Sequence, residues 1–524
     1  MTPGVWRLWR LGPALVLAAA CTSRPVSPTA ATTSPSEAGS SSEVTSARVP
    51  QVRAEPPPPG PWLAVSFPEV VGSELENGLR LRVVERSGLP IVELTLVILS
   101  GASSDAGQPG LAMIAGELLK DGGAGSWSSR QLLDLVESLG ASLEIWTGPD
   151  ATRLTLGVTT QHLEAAFDIL AAVALRPRFA PEEFRKLKAR EIERVQNLAR
   201  TSGRWAARMA LFRRLYSLPT DRHPYAAYDA TPSELAGVSL RSCRGWHKKH
   251  VTPENTVLVA TGAVSPDMVL SNARRVFAGW RGGPPERPAF ANPLPPARLE
   301  VRVVDRPGST QSDILIGLLG APRISSDWLP LKTATQILGG STAGRLFLDV
   351  REKRSLAYST GAGISERAQG PVPILLWAGT RTEMTARAVD ALLEHLDRLG
   401  REAPLDTEVQ RATRYLADSL LVRLETVESV TDLATDVVVL QLAEDYYEDY
   451  RESLRTLDVS TLYSVARRYF SSDRAHVVVT GDADTIAGDL ARFAEVKVVD
   501  PEHDFIVKRT IDRDPTSHNR GASP

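Results

Sequence analysis

Short apolar, β-branched runs alternate with segments of helical period along this chain, and the pattern occurs twice. Residues 79–84 and 91–99 are rich in Leu, Val and Ile and are separated by Ser87-Gly88-Leu89-Pro90, which predicts two strands in a hairpin-like pair. A helix is expected over residues 110–120 and a second over 129–139, where Leu132, Leu133, Val136 and Leu139 share a face and Gly140 supplies the stop. Residues 141–145 and 152–158 read as another strand pair, and 161–175 and 181–199 as helices. Further on, 312–321 echoes the strand pattern of 93–102, and 477–481 echoes that of 257–262. Gly101 and Gly320, like Gly262 and Gly481, are separated by 219 positions. Two strand–turn units sharing one offset predict an internal duplication. Helices expected near 329–338, 385–399 and 405–424 complete the second copy. Strands and helices segregate rather than alternating strictly, so the expected class is α+β, with two homologous domains.

Punctuation sets the boundaries. The stretch from Gly282-Gly283-Pro284-Pro285 to Pro295-Pro296 is too rich in Gly and Pro for an element interior. Residues 282–297 are therefore expected to link domains at 66–281 and 298–500, with 501–524 a polar tail that frays after about Arg509. At the other end, Arg7 and Arg10 precede a short apolar run closing on Ala18-Ala19-Ala20-Cys21. This patterns as a signal peptide over residues 1–20 with a junction that resembles a bacterial lipobox. Cys21 is then the expected lipid-bearing residue of a protein attached to the cell envelope, facing the periplasm, with the outer membrane the expected site. An ordinary cleavage site beside a chance cysteine is the alternative. Residues 21–65, dominated by Ser, Thr, Pro, Ala and Glu, bury too little apolar surface to fold and read as a tether. Composition adds little: 43% apolar residues suffice for ordinary cores, and 60 basic against 62 acidic residues leave no basic footprint for nucleic acid. Cys243 is the one other cysteine, so neither a disulfide framework nor a cysteine zinc cluster is available.

The segment with most chemical content is Gly110-Leu111-Ala112-Met113-Ile114-Ala115-Gly116-Glu117. It resembles the metal-binding helix of the pitrilysin/insulinase family of zinc peptidases, whose H-x-x-E-H pattern sets two imidazoles one turn apart around a glutamate base. By that resemblance Gly110-Leu111-Ala112 is the family's opening, Met113 stands at the first histidine, Gly116 at the base and Glu117 at the second histidine. A thioether and a hydrogen supply neither ligand nor base. The family's distal acid is expected in a later helix, and Glu193 stands 76 positions after Glu117. Without imidazoles, a solvated helix face is the preferred reading of Glu193, and two carboxylates alone would suit Mg or Ca better than zinc. No metal or other cofactor is expected in this chain. Of the eight histidines, His247 and His250 have ligand-like spacing, but Lys248 and Lys249 between them would repel a cation.

The resemblance extends from Asn77-Gly78-Leu79 to the segment Leu338-Gly339-Gly340 through Arg351-Glu352-Lys353-Arg354-Ser355-Leu356-Ala357-Tyr358, and covers about residues 66–500. It implies that in two-chain members one subunit carries zinc while its partner lends an arginine and a tyrosine from such a segment, here Arg351 and Tyr358. Guanidinium and phenol donors can orient a peptide carbonyl and stabilise its developing oxyanion. A surface arginine and a half-buried core tyrosine are the bland alternative. The loop from Gly339 to Gly344 lacks the Lys-Ser/Thr sequel of a phosphate loop, so a tight turn is expected. The resemblance thus implies half of a clamshell, paired with a zinc-bearing sibling around a peptide substrate. Two other readings stay open: a peptide-binding or scaffold protein without proteolysis, and a peptidase with a relocated metal.

Overall fold

The computed structural model describes residues 60–514 apart from 63, 64, 106, 219–221 and 289; the expected signal peptide, Cys21 and most of the tether lie outside the described residues. From Ser66 onward the chain is one unit containing both repeats. Strands β1 (Val71–Glu74), β2 (Arg80–Glu85), β3 (Ile91–Ile98), β4 (Ser142–Thr147), β5 (Thr152–Thr159) and β6 (Thr256–Gly262) form a sheet in the order β1-β2-β6-β3-β5-β4. Strands β7 (Glu300–Asp305), β8 (Gln311–Pro322), β9 (Ser359–Ile364), β10 (Pro371–Arg381), β11 (His476–Gly481), β12 (Val496–Asp500) and β13 (Ile506–Ile511) form the other, in the order β13-β12-β7-β11-β8-β10-β9. Setting aside the outer strands, the two orders correspond strand for strand. The senses agree too: β2–β6 and β7–β11 run parallel and the remaining corresponding pairs antiparallel.

The duplication is therefore present, with two corrections to the expected strands. β2 and β3 do not pair as a hairpin, because β6 lies between them and bonds to both. Inserting β6 covers a strand that is buried along its whole length, whose apolar centre a two-stranded ribbon would leave in water. The second correction is at the tail: Thr510 and Ile511, expected to fray, pair with β12 as the end of β13. The copies also differ by one residue. Leu94 faces Ala260 whereas Ile314 faces Val479, since Leu318-Leu319-Gly320-Ala321 lacks the extra residue of Ile98-Leu99-Ser100-Gly101-Ala102. At the end of β6, Gly262 has φ +133° and an added Cβ would lie 2.1 Å from the Ile91 carbonyl oxygen, so this turn admits no side chain.

Helices α1 (Leu111–Asp121), α2 (Ser129–Ser138), α3 (Leu163–Leu175), α4 (Pro181–Thr201), α5 (Gly203–Leu215), α6 (Pro232–Gly237), α7 (Leu240–His250) and α8 (Pro266–Phe277) come from the first copy. The second supplies α9 (Trp328–Gly339), α10 (Thr385–Arg401), α11 (Asp406–Val422), α12 (Val427–Val439), α13 (Tyr446–Thr456), α14 (Val459–Tyr469) and α15 (Ala483–Leu490). Among the described residues no helix is long and apolar enough to cross a membrane.

One helix from each copy packs on the sheet of the other. α5 crosses β8 and β11, and its Leu211, Phe212 and Leu215 join Leu315, Leu375 and Val478 in one core. α12 lies on β6 and β3, where Val430, Ala434 and Val439 meet Val84, Val97, Val257 and Val259. The exchange covers the second face of each sheet. It explains why Val257-Leu258-Val259-Ala260 and Val477-Val478-Val479 read as continuous apolar runs rather than alternating ones. Close approach is possible because Gly317 lacks a side chain: a Cβ there would sit 2.8 Å from Leu211 Cδ1 and Cδ2. Polar contacts seal the seam. Arg153 pairs with Asp432 at 3.4 Å and Asp436 at 3.2 Å, Tyr216 Oη donates to the Pro371 carbonyl at 2.8 Å, and half-buried Asp150 accepts from Tyr225 Oη and from the Ala368 amide.

Candidate functional site

The helix that carries the motif positions starts where the chain must bend sharply. Gly110 sits at φ +88° with Leu235 Cδ2 and Ala230 Cβ 2.7 and 2.9 Å from where a Cβ would be. Asp105 then closes the helix end: its carboxylate accepts from the Gly110 amide at 2.8 Å and the Ala112 amide at 2.7 Å. Burial pushes this carboxyl up to about 7, against the backbone amides that pull it down. An unfolded aspartate ionises near pH ~3.9. Between those values the folded chain is the better proton binder, so stability is expected to fall as pH rises from about 4 to 7. Urea denaturation at pH 5 and pH 7.5 is expected to show a drop on the order of 1–3 kcal/mol that Asp105→Asn abolishes; an unchanged drop in that variant would contradict it.

Within α1, Met113 is half-buried against the core, Gly116 is buried and Glu117 is 8% exposed. Gly116 has neighbours where a side chain would begin: an added Cβ would lie 2.9 Å from Thr147 Oγ1 and 3.3 Å from Thr152 Cγ2. Glu117 lies 3.8 Å from Lys120 Nζ, and the Arg190 guanidinium of α4 acts on it electrostatically while binding Asp121 at 2.9 Å. Protein cations thus stand around the one acid at this point. Glu193, by contrast, is exposed on α4. The acid of α4 that is turned inward is Glu191, and it is held by Arg194 at 2.6 Å, which also binds Asp229 at 3.1 Å. These residues do not fit a zinc ion: imidazole is missing at both positions, the base position has no side chain, and the nearest charges repel a cation. Among the described residues no group of three His, Cys, Asp or Glu side chains is placed to hold a metal. His247 and His250 also part company. The first bonds the Ala174 carbonyl at 2.7 Å through Nε2, and the second, buried under Trp246, bonds Ser100 Oγ at 2.9 Å through Nδ1.

Arg351 and Tyr358 lie at the opposite ends of a short, tightly built segment. Residues Phe347–Lys353 wind as a π-type turn, a geometry that widens one helical turn and recurs at functional sites. Its backbone is pinned from beneath by Asp349, which takes His395 Nε2 at 2.8 Å and Arg354 Nε at 2.7 Å. Arg351 is left 45% exposed, stacked over Phe347 at 4.7 Å and 3.4 Å from Glu352. Ser355, at φ +51°, reverses the chain into buried Leu356 and Ala357 and so delivers Tyr358. The tip of the Tyr358 ring lies over Gly379, where a Cβ would come within 2.5 Å of Cζ and Oη, and its phenol donates to Gln311 Oε1 at 3.3 Å. It is 52% exposed, and partial burial together with Asp313 raises its phenol while Arg204 lowers it. Gly339 earns its place here by contact: a Cβ would meet the Ala362 amide nitrogen at 2.6 Å, so the glycine turn lets α9 approach β9. Sequence reading missed Gly379, Gln311, Asp349 and His395, for which no local motif exists; their roles arise only when β8, β10 and α10 come together.

Two copies of one sheet plan, each lending a helix to the sheet of the other, define an internally duplicated protein of mixed helices and sheets. The chain belongs to the insulinase family, peptidase family M16: residues 83–218 match the family model described as insulinase (peptidase family M16), and 237–416 match the one described as peptidase M16 inactive domain. An uncharacterized zinc protease of Bacillus subtilis, YmxG, is 21% identical over 359 residues, spanning 68% of this chain and 85% of that protein. An uncharacterized zinc protease of Rickettsia felis is 22% identical over 419 residues, spanning 78% and 96%. The fold is that of a peptidase M16 inactive domain from Pseudomonas fluorescens (TM-score 0.73, 24% identity, 79% of this chain and 98% of that one). It is also that of a protease from Helicobacter pylori (TM-score 0.70, 19% identity, 79% and 100%).

Proposed function

We propose that this chain is a non-catalytic subunit of an insulinase-type zinc peptidase, gripping the peptide for a zinc-bearing sibling that carries H-x-x-E-H. The observation that carries the reading is the contrast between the two sites. In α1 the base position is a buried glycine crowded by Thr147, and Glu117 is surrounded by Lys120 and Arg190. In the second copy, Arg351 and Tyr358 keep half of their surface free on a rigid support. Hydrolysis by the family's usual route needs a metal and a base, and Met113, Gly116 and Glu117 offer no imidazole and no base at the motif positions. Its arginine and tyrosine can still hold a peptide carbonyl by donated hydrogen bonds. In the same proposal the chain is tethered through a lipid on Cys21 and faces the periplasm. The test is to mix the purified chain with its H-x-x-E-H sibling and follow co-elution and peptide turnover. A stable complex with raised turnover is expected; separate elution with no change in rate rejects the subunit role.

A further inference from the structure

The seam between the copies brings a cation of the first copy to the side of Tyr358. α5, the helix lent by the first copy, begins at Gly203, and a Cβ there would lie 2.3 Å from Asp313 Oδ2 and 3.1 Å from Arg306 Nη1. The Asp313 carboxyl of β8 and the Arg306 guanidinium therefore both border the start of α5. Next along α5 stands Arg204, half-buried, its charge acting on both Asp313 and Tyr358. Among the described residues Arg204 makes no hydrogen bond and no ion pair within 4.0 Å. Arg306 donates to the Arg200 carbonyl at 2.8 Å and acts on Asp313 by charge, without an ion pair within 4.0 Å among the described residues. Two guanidiniums thus face a single carboxyl, which burial holds towards its neutral form. Such a cluster is one anion short of neutrality beside an exposed phenol donor. Guanidinium forks match carboxylates in shape and donor count.

We infer that Arg204 and Arg306 form a carboxylate-binding subsite at the seam beside Tyr358, taking either the C-terminal carboxylate or an acidic side chain of the bound peptide. This rests on the proposed peptide-gripping role. The subsite is built from both copies: Arg204 comes from the first and Arg306 from the second.

The test is fluorescence anisotropy of three labelled nonapeptides with the full chain: a neutral sequence with a free C-terminus, the same sequence amidated, and the amidated sequence with one internal glutamate. At least one carboxylate-bearing peptide is expected to bind about tenfold tighter than the neutral amide, as one charge-assisted hydrogen-bonded pair allows. Which one does so identifies the source of the carboxylate. Arg204→Met is expected to cut the preference to under about twofold while leaving affinity for the neutral amide unchanged, and Arg204→Lys to retain part of it. Equal binding of all three by the native chain, or a preference that survives Arg204→Met, overturns the subsite alone. Failure of all three to bind overturns the gripping role with it.

Discussion

Arg351→Ala is expected to lower peptide turnover by the two-subunit complex about a hundredfold, the scale seen when one donor to a developing oxyanion is removed. The loss belongs to the reaction and not to folding. Arg351 makes a stacking contact with Phe347 and a 3.4 Å approach to Glu352, while the turn that bears it is fixed by Asp349, His395 and Arg354. Thermal stability is therefore expected to stay within about 0.5 kcal/mol of the native chain. If the guanidinium acts on the transition state, kcat and kcat/KM fall together; if it only holds the ground-state peptide, KM rises with kcat unchanged. Tyr358→Phe keeps the ring over Gly379 and removes only the donor, so a smaller loss, about tenfold, is expected. Native rates in both variants would support the scaffold reading instead.

The sequence spoke clearly wherever one local rule sufficed. The 219-residue offset, the stop at Gly140 and the helix at residues 110–120 each rest on spacing or on one residue type, and each has its counterpart in β3, β6, β8, β11, α1 and α2. It was silent where a partner distant in sequence decides. Nothing in residues 79–99 announces that β6, more than 150 positions later, separates β2 from β3. Nothing polar in Ile506-Val507-Lys508-Arg509-Thr510-Ile511 distinguishes a frayed tail from an edge strand whose Lys508 reaches Asp305 at 2.9 Å. For the candidate site, the residue types at 113, 116 and 117 were legible, but not that Thr147 fills the space over Gly116 or that Arg190 stands by Glu117. Glu193 shows the limit of counting: a separation of 76 residues fixes distance along the chain, while the helix phase of α4 turns that carboxylate outward and Glu191 inward.

The boundary drawn at the Gly- and Pro-rich stretch 282–297 separates the copies in sequence but not in energy, and Leu211→Ala is the substitution that exposes the difference. Leu211 belongs to the first copy, is completely buried, and presses on Gly317 of the second copy's sheet. Truncating a buried leucine costs about 2–5 kcal/mol, towards the upper end where the surroundings cannot collapse into the void. Collapse is hindered here because β8 is held on both sides by β10 and β11. The loss is expected to appear in β8 and β11 as much as in α5, since Leu211, Leu315 and Val478 share one core. Hydrogen exchange locates it: amides of β8 and β11 should lose protection together with those of α5 in the variant. Val430→Ala in α12 is expected to do the same, more weakly, to β3 and β6, because valine loses fewer buried carbons and Val430 remains 4% exposed. A response confined to α5, with β8 and β11 as protected as before, would mean that the copies fold independently and merely touch. The Arg204–Tyr358 seam would then have no common framework to hold its two halves in register.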